Sequence, residues 1–211
     1  MLFRSGFMFG GGAALDVQGS LHLTTADYLN LGDEGRFGID LAQTSHTSLS
    51  MAAPSSFGFL SAPSGSISLQ YVGLTVNPGQ EIALTAPHIS LEGSYLGAPE
   101  GAISLSNVTE GEMAIAGDGG SSGMISIQES YVSTSGNGGG DIHIVGGEVY
   151  IGQFSQVENR NTGDDAGANT SIRAETLVVQ DASLITTSPE GDGAGGNIII
   201  SAGSEMHMSG G

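Results

Sequence analysis

A glycine-rich passage that recurs at a fixed spacing limits the possible folds of this chain more than any other feature. Ser135–Asp141 is followed by Gly163–Asn169 and then by Gly191–Asn197, so equivalent positions lie 28 residues apart. Each passage leads into a short run of strand-forming residues, as in Ile142–Ile144, where apolar and polar side chains alternate. Self-similarity at such a period indicates supersecondary units that stack on one another.

The repeat also predicts which residues form columns. Stacked coils place equivalent positions about 4.8 Å apart, so one residue type can form a ladder along the axis. Asp141, Asn169 and Asn197 share one phase, each just before a strand. Short amides and carboxylates bond neighbouring backbone groups in tight corners, so we expect a structural turn ladder here. A second phase holds isoleucine in each repeat, which predicts an inward-facing column of Ile144, Ile172 and Ile200.

These patterns predict an all-β fold, a right-handed single-stranded parallel β-helix, or β-solenoid. At about 20 to 28 residues per coil, the chain would form about eight to ten coils. The alternative is an up-and-down β-sandwich with glycine-rich loops, but a sandwich has no reason to repeat its loops in register.

The charge balance excludes several partners. The chain has 22 Asp and Glu residues against four arginines, and its net charge is -18. Nucleic acid and anionic lipid surfaces are bound through cationic side chains, so neither is an expected partner. Acidity keeps a repetitive β-protein soluble. We expect no cofactor, apart from weak Ca²⁺ binding at the acidic turns.

Neither disulfides nor a membrane span is expected. The chain has no cysteine, and no apolar run is long enough to cross a bilayer. Met1–Gly10 lacks the uninterrupted apolar segment of a signal peptide. The first strands begin without a polar cap, and the sequence ends at Gly211 partway through a coil. We therefore expect the sequence to be a fragment.

One phrase near the start carries a family resemblance. Phe9–Leu29 reads Phe-Gly-Gly-Gly-Ala-Ala-Leu-Asp-Val-Gln-Gly-Ser-Leu-His-Leu-Thr-Thr-Ala-Asp-Tyr-Leu, and Gly32–Phe37 and Ala53–Leu60 continue it. It resembles the filamentous haemagglutinin N-terminal domain, the TpsA-type domain of two-partner secretion exoproteins. The residues matching that family's phrase are Gly6, Phe9, Gly10, Leu15, Asp16, Val17, Gly19, Ser20, Thr25, Ala26 and Asp27.

The resemblance implies a division of the chain. It runs from Gly6 to about Leu69, so that residues 1–64 are the C-terminal part of such a domain and 65–211 are continuing β-helix coils. The family ordinarily carries Asn-Pro-Asn-Gly just before the Phe-Gly, whereas this chain has Phe3-Arg4-Ser5-Gly6. The secretion motif of the family is therefore missing here.

The regular pattern loosens at about 38–64. Pro54 and Pro63 punctuate this stretch, which predicts a loop or hairpin excursion with no central strand. We expect Phe57 and Phe59 to pack back on the solenoid. From Gly65 onward the alternation predicts coil strands, and Met113–Ile115 is one of them.

Catalytic chemistry has weak support. Asp164 and Asp165 could in principle supply an acid and a base, but they fall in the repeated turn, where Asp192 is the counterpart. The histidines lack metal-ligand spacing and no Ser-His-Asp arrangement stands out; those in strands, His22, His143 and His207, are expected to face outward. We therefore predict no catalytic, cofactor-binding or metal-binding residue.

The resemblance implies a function. It points to a fragment of a secreted or surface-displayed haemagglutinin-like adhesin, outside a Gram-negative or cyanobacterial cell. The expected partners are an outer-membrane TpsB-type β-barrel transporter and host-cell, glycan or surface ligands. Two alternatives stay open: a carbohydrate-active β-helix enzyme of the polysaccharide lyase or hydrolase kind, and a structural extracellular matrix or sheath protein.

Overall fold

The computed structural model describes residues 6–32, 35–38, 50–60, 65–115 and 122–210. This part of the chain forms strands and no helix. The strands are β1 Phe7–Phe9, β2 Ala14–Val17, β3 Leu21–Thr24, β4 Tyr28–Leu31, β5 Gly35–Gly38, β6 Pro54–Phe59, β7 Ser66–Gln70, β8 Gly73–Val76, β9 Glu81–Thr85, β10 His88–Glu92, β11 Tyr95–Gly97, β12 Ala102–Ser106, β13 Gly111–Ala114, β14 Met124–Gln128, β15 Tyr131–Ser133, β16 Asp141–Gly152, β17 Gln156–Asn161, β18 Thr170–Val179, β19 Leu184–Pro189 and β20 Ile198–Met208.

Each coil places one strand on each of three faces, and strands on a face pair in parallel. The first face contains β1, β7, β10, β14 and the second halves of β16, β18 and β20. The second face contains β2, β8, β11, β15, β17 and β19. The third contains β3, β9, β12 and the first halves of the three long strands. The long strands turn the corner between the third and first faces, which therefore join into one 10-stranded sheet.

Columns of apolar side chains fill the interior. Ile67, Ile89, Ile125, Val149 and Leu177 pair in order on the first face, and each is at most 1% exposed. Burying one such side chain contributes about 1.5–3 kcal/mol. The column predicted on the third face is also present, since Ile144 pairs with Ile172 and Ile172 with Ile200. The predicted parallel β-helix is confirmed.

The coils are fewer than predicted. Within the described residues, six coils carry strands on all three faces, starting at β1, β7, β10, β14 and the second halves of β16 and β18. The expectation of about eight to ten was wrong because two segments leave the solenoid.

Both excursions leave from one corner. The first follows β3 and the second follows β12, and these strands flank β9 in the same sheet. The excursion strands meet in a separate antiparallel sheet with the order β13-β6-β4-β5. We call it the excursion sheet. The solenoid then resumes in register, with β7 on β1 and β14 on β10.

Two local expectations fail here. Met113 belongs to β13, which pairs antiparallel with β6, so the stretch Met113–Ile115 is not a coil strand. Its alternation is equally compatible with a hairpin strand, which is why the sequence misled. Similarly, β6 lies between two strands although prolines were expected to prevent this. Pro54 is its first residue, where a missing N–H is tolerated.

The excursion predicted at about 38–64 lies partly outside the described residues, and its described strands run from Tyr28 to Phe59. Across the described ranges, no helix has the length and apolarity needed to cross a membrane.

Candidate functional site: the excursion sheet and the corner ladders

The glycines of the family phrase shape the first coil. Gly6 has a φ of +90°, and a Cβ there would lie 2.1 Å from the carbonyl oxygen of Ser66, so other residues are disfavoured twice over. Gly10 accepts a turn hydrogen bond, and Gly19 lies in the bend between β2 and β3. The apolar residues of the phrase pair with the second coil and pack on the core: Phe9 with Leu69, Leu15 with Leu74 and Val17 with Val76.

The polar residues of the phrase tie the first coil to the second. Asp16 accepts a hydrogen bond from the hydroxyl of Thr75 at 3.4 Å. The hydroxyl of Ser20 lies 3.2 Å from Gln80 Oε1, and it accepts the backbone N–H of Glu81 at 3.0 Å. The bonds fix the register within the second face and at the corner that follows it.

Thr25 and Asp27 mark the point where the chain leaves the solenoid. Thr25 is 2% exposed, and its N–H still bonds the carbonyl of Thr85 as a coil residue would. The N–H of Asp27 instead donates to Gly58 at 2.8 Å, and its carboxylate accepts the N–H of Leu60 at 2.7 Å. Asp27 therefore clamps the outgoing and returning ends of the first excursion together.

A polar cluster connects all four strands of the excursion sheet. Tyr28 donates its hydroxyl to Glu112 at 2.9 Å. Arg36 approaches Glu112 at 3.4 Å and lies 3.9 Å above the centre of the Tyr28 ring. Arg36 also donates to Asn30 at 3.2 Å, and Asn30 donates to Ser56 at 2.8 Å. Because the five residues come from both excursions, the cluster joins segments that are distant in sequence.

The cluster shifts two ionisation equilibria. Hydrogen bonds from Asn30 and then Tyr28 lower the pKa of Glu112. Partial burial, reinforced by the bond to Glu112, raises the pKa of Tyr28. The Tyr28 ring lies across Gly58, where an added Cβ would be 1.9 Å from a ring carbon. Both shifts favour an ionised carboxylate beside a neutral phenol.

A small apolar core lies under the excursion sheet. It consists of Ala26, Phe57, Phe59, Val108 and Met113. Ala26 and Val108 lie just past the coil strands β3 and β12, and the N–H of Val108 bonds the carbonyl of Ala86 in the coil between them. Phe57 and Phe59 therefore pack where both excursions leave the solenoid.

The residues of the proposed turn ladder lie one above the other. The carboxylate of Asp141 accepts the N–H of Asn169 at 2.8 Å. The side-chain oxygen of Asn169 accepts both the backbone N–H and the side-chain amide of Asn197, at 3.1 and 2.9 Å. Asp141 and Asn169 thus each satisfy a backbone donor of the next coil.

A buried asparagine, absent from our sequence predictions, holds the glycine-rich turns. Asn161 is 1% exposed. Its side-chain oxygen accepts the N–H groups of Gly138 and Gly163, at 2.9 and 3.0 Å. Its amide donates to the carbonyls of Asp165 and Ala194, at 2.6 and 3.0 Å. One side chain therefore connects the turns of three successive coils.

A serine ladder at the corner before the second face was also missed. In each step a backbone N–H donates to the hydroxyl of the serine in the next coil, at 3.0–3.2 Å. The steps run from Val72 to Ser94, from Ser94 to Ser130, from Ser130 to Ser155 and from Ser155 to Ser183. The signal was present in the sequence: a serine immediately precedes the second strand in four successive coils. Variable coil lengths hid it from a search at a fixed period.

The remaining candidates for chemistry are scattered. Asp164 and Asp165 are exposed in a turn, and His22, His143 and His207 are exposed as expected. Nowhere in the described ranges do three His, Asp or Glu side chains come close enough to hold a metal ion. Weak Ca²⁺ binding stays a prediction.

Replacing the buried asparagine tests the turn network. Asn161→Ala leaves two N–H groups and the carbonyl of Asp165 without their partner, whereas the carbonyl of Ala194 keeps the N–H of Gly167. We therefore expect the free energy of unfolding to fall by about 3 kcal/mol. Urea denaturation followed by circular dichroism measures it. Asn77→Ala, at an exposed turn, is the matched control and should change little. A loss below about 1 kcal/mol for Asn161→Ala would contradict the role assigned to Asn161.

Removing the clamp tests how the first excursion is held. In Asp27→Ala, amides of β6 and Leu60 should exchange at least tenfold faster in hydrogen–deuterium exchange, because Leu60 loses its acceptor. Amides of β11, in the solenoid core, should be unaffected. Asp192→Ala removes an exposed turn carboxylate and controls for charge. Unchanged exchange in β6 would rule out the clamp.

The polar cluster should make the excursion sheet pH-sensitive at both ends of the scale. Because the pKa of Glu112 is lowered from its ordinary value of 4.5, the ionised carboxylate stabilises the sheet at pH values above 4.5. This contribution is lost as the pH falls through the lowered pKa. Because the pKa of Tyr28 is raised from its ordinary value of 10.0, the neutral phenol stabilises the sheet at pH values below 10.0, and this contribution is lost as the pH rises through the raised pKa. Amide NMR shifts of β4 and β6 report both steps. Glu112→Gln should remove the acid step and move the alkaline step to lower pH, because Glu112 contributes to the raised pKa of Tyr28. Persistence of the acid step would assign it to another group.

Comparison with known proteins agrees with the resemblance. No curated protein and no solved structure matches the chain. A family model described as the TPS secretion domain matches residues 3–149, more than half of the 211 residues. The matched region contains both excursions, the polar cluster and the first turns of the serine ladder. The division at residue 64 stays a prediction. The chain belongs to the TPS secretion domain family.

Proposed function

We propose that this chain is the part of a non-catalytic, surface-acting adhesin that an outer-membrane transporter exports. The family match over residues 3–149 carries this proposal, because TPS domains belong to proteins exported by two-partner secretion. The expected partner is the TpsB-type transporter of that system. The destination would be the outside or the outer surface of a Gram-negative or cyanobacterial cell.

The geometry supports a mechanical role. Each coil contacts its neighbours through backbone pairs, so a chain emerging from a transporter can add one coil at a time to those already folded. The excursion sheet is held by its own polar cluster and small core. It therefore gives the rod a separate surface beside the parallel sheets of the coils. A stiff rod that presents many weak contacts gains affinity by multivalency.

The non-catalytic reading is supported by the placement of the charged groups. Arg160 bonds Glu158 at 2.6 Å and approaches Glu190 at 3.3 Å, so its charge is committed to neighbouring carboxylates. Asp164 and Asp165 lie in an exposed turn. A lyase or hydrolase would need such groups to converge on one cleft.

Secretion tests the proposal directly. The chain is given an added signal peptide followed by the Asn-Pro-Asn-Gly motif that it lacks ahead of Phe9-Gly10, and is expressed in a Gram-negative host with or without a two-partner secretion transporter. We expect the chain in the medium only when the transporter is present, and we expect the secreted chain to bind to cell or polysaccharide surfaces.

The control variant is Asp192→Ala, which leaves the solenoid and excursion sheet intact. Asp27→Ala, which loosens the excursion, should lower secretion severalfold. Retention of the wild-type chain in the periplasm despite the transporter would contradict export. Secretion without binding to any surface would contradict the adhesive role.

A further inference from the structure

The second face of the solenoid carries a tyrosine stack that ends at an empty position. Tyr95 and Tyr131 pair in neighbouring coils, and their ring centroids lie 5.6 Å apart with 18° between the ring planes. The next residues down this column are Gly73 and then Ala14. One face of the Tyr95 ring is covered by Tyr131. The ring leans along its own strand over Gly97, where an added Cβ would lie 2.6–2.8 Å from it. Its other face therefore looks towards the space between Gly73 and Thr75, the partner of Gly97.

The space at Gly73 is open. A Cβ added there would meet no atom within 4 Å, and Tyr95 is 39% exposed. Coils repeat every 4.8 Å or so, close to the thickness of one stacked ring. Tyr71 bounds the space on the corner side: it is 58% exposed, and its ring lies against Gly93 of the coil above.

Polar groups stand on the opposite side of the space. Thr75 and Asp16 are the next outward-facing residues along β8 and β2, and they form a pair at 3.4 Å. Two residues along a strand correspond to about 6.6 Å. A ring placed in the space between Gly73 and Thr75 would thus have the Tyr95 ring above it, with a hydroxyl and a carboxylate at its edge.

We propose that one neutral pyranose ring of a surface glycan binds in this slot, which is formed by Gly73, Tyr95, Tyr71, Thr75 and Asp16. A pyranose presents a face of C–H groups that packs on an aromatic ring and hydroxyls at its edge that donate to a carboxylate. A few polar groups beside an apolar surface are typical of small-ligand sites. The inference rests on the proposed adhesive function.

The charge of the chain narrows the class of glycan. With a net charge of -18 and Asp16 at the edge of the slot, uronic or sialic acids would be repelled. Nucleotides stack on tyrosine but carry phosphates, so the same repulsion disfavours them. Neutral hexoses and N-acetylated hexosamines remain as the favoured class.

Filling the slot tests the inference without removing any contact. Gly73→Tyr adds a ring at the empty position, and its place in β8 with free space above it accommodates tyrosine. The full chain, the Gly73→Tyr and Asp16→Asn variants, and the control Phe154→Ala are applied to an array of immobilised neutral, N-acetylated and acidic oligosaccharides. Phe154 is 74% exposed and lies outside the slot. Melting temperatures confirm that each variant is folded.

The wild type and Phe154→Ala should bind neutral or N-acetylated glycans, while Gly73→Tyr and Asp16→Asn bind them at least tenfold more weakly. Absence of such binding by the wild type, a preference for acidic glycans, or equal binding by Gly73→Tyr would overturn the inference.

Surface adhesion measured on the same variants separates this inference from the proposed function. Adhesion that survives in Gly73→Tyr would leave an adhesin without this glycan site. A third outcome is that Gly73→Tyr loses adhesion although the wild type binds no glycan. The slot would then bind an aromatic side chain of a protein, which would contradict the inference. Failure of the wild type to adhere to any surface would contradict the adhesive function itself.

Discussion

Parallel backbone pairing between successive coils is the interaction on which the rest of this structure depends. Pairing in register puts equivalent positions in columns, and a column is stable only if its residue type suits its side of the sheet. Inward columns such as Ile67, Ile89 and Ile125 are apolar, whereas outward columns hold serines, histidines and tyrosines. Buried apolar side chains therefore fill the interior of the described coils. The chain has no cysteine, so no disulfide contributes to this packing.

The corners pose a different problem, because a backbone that changes direction leaves donors and acceptors without strand partners. At one corner the serine ladder supplies hydrogen-bond partners for this backbone, and at another corner Asn161 supplies them. At the third corner the chain twice leaves the solenoid, after Thr24 and after Ser106, residues that lie in one column with Thr85 between them. Since both excursions start from one corner, they meet in a single sheet without disturbing the stacked coils.

Much of the fold could be predicted because the interior imposes a repeat on the sequence. The isoleucines at 144, 172 and 200 show their period directly, and Asp141, Asn169 and Asn197 were found by the same period. The serine ladder escaped because coil length varies, so spacing between equivalent serines varies with it. Met113 was misassigned since an alternating run predicts a strand and leaves its partner open. The cluster of Tyr28, Arg36 and Glu112 could not be predicted, because its members meet only through two separate excursions.

Distances between spin labels along one column test the central claim most directly. The column from Ser66 passes through His88, Met124, Glu148 and Thr176 to Glu205, one coil at each step. Cysteines can be introduced in pairs without competing thiols, and pulsed electron paramagnetic resonance then reads the separations. The account predicts a Cα separation of about 24 Å between positions 66 and 205, and about 19 Å between 88 and 205, because each coil adds about 4.8 Å. Separations that fail to grow by a constant step from coil to coil would contradict the stacked solenoid.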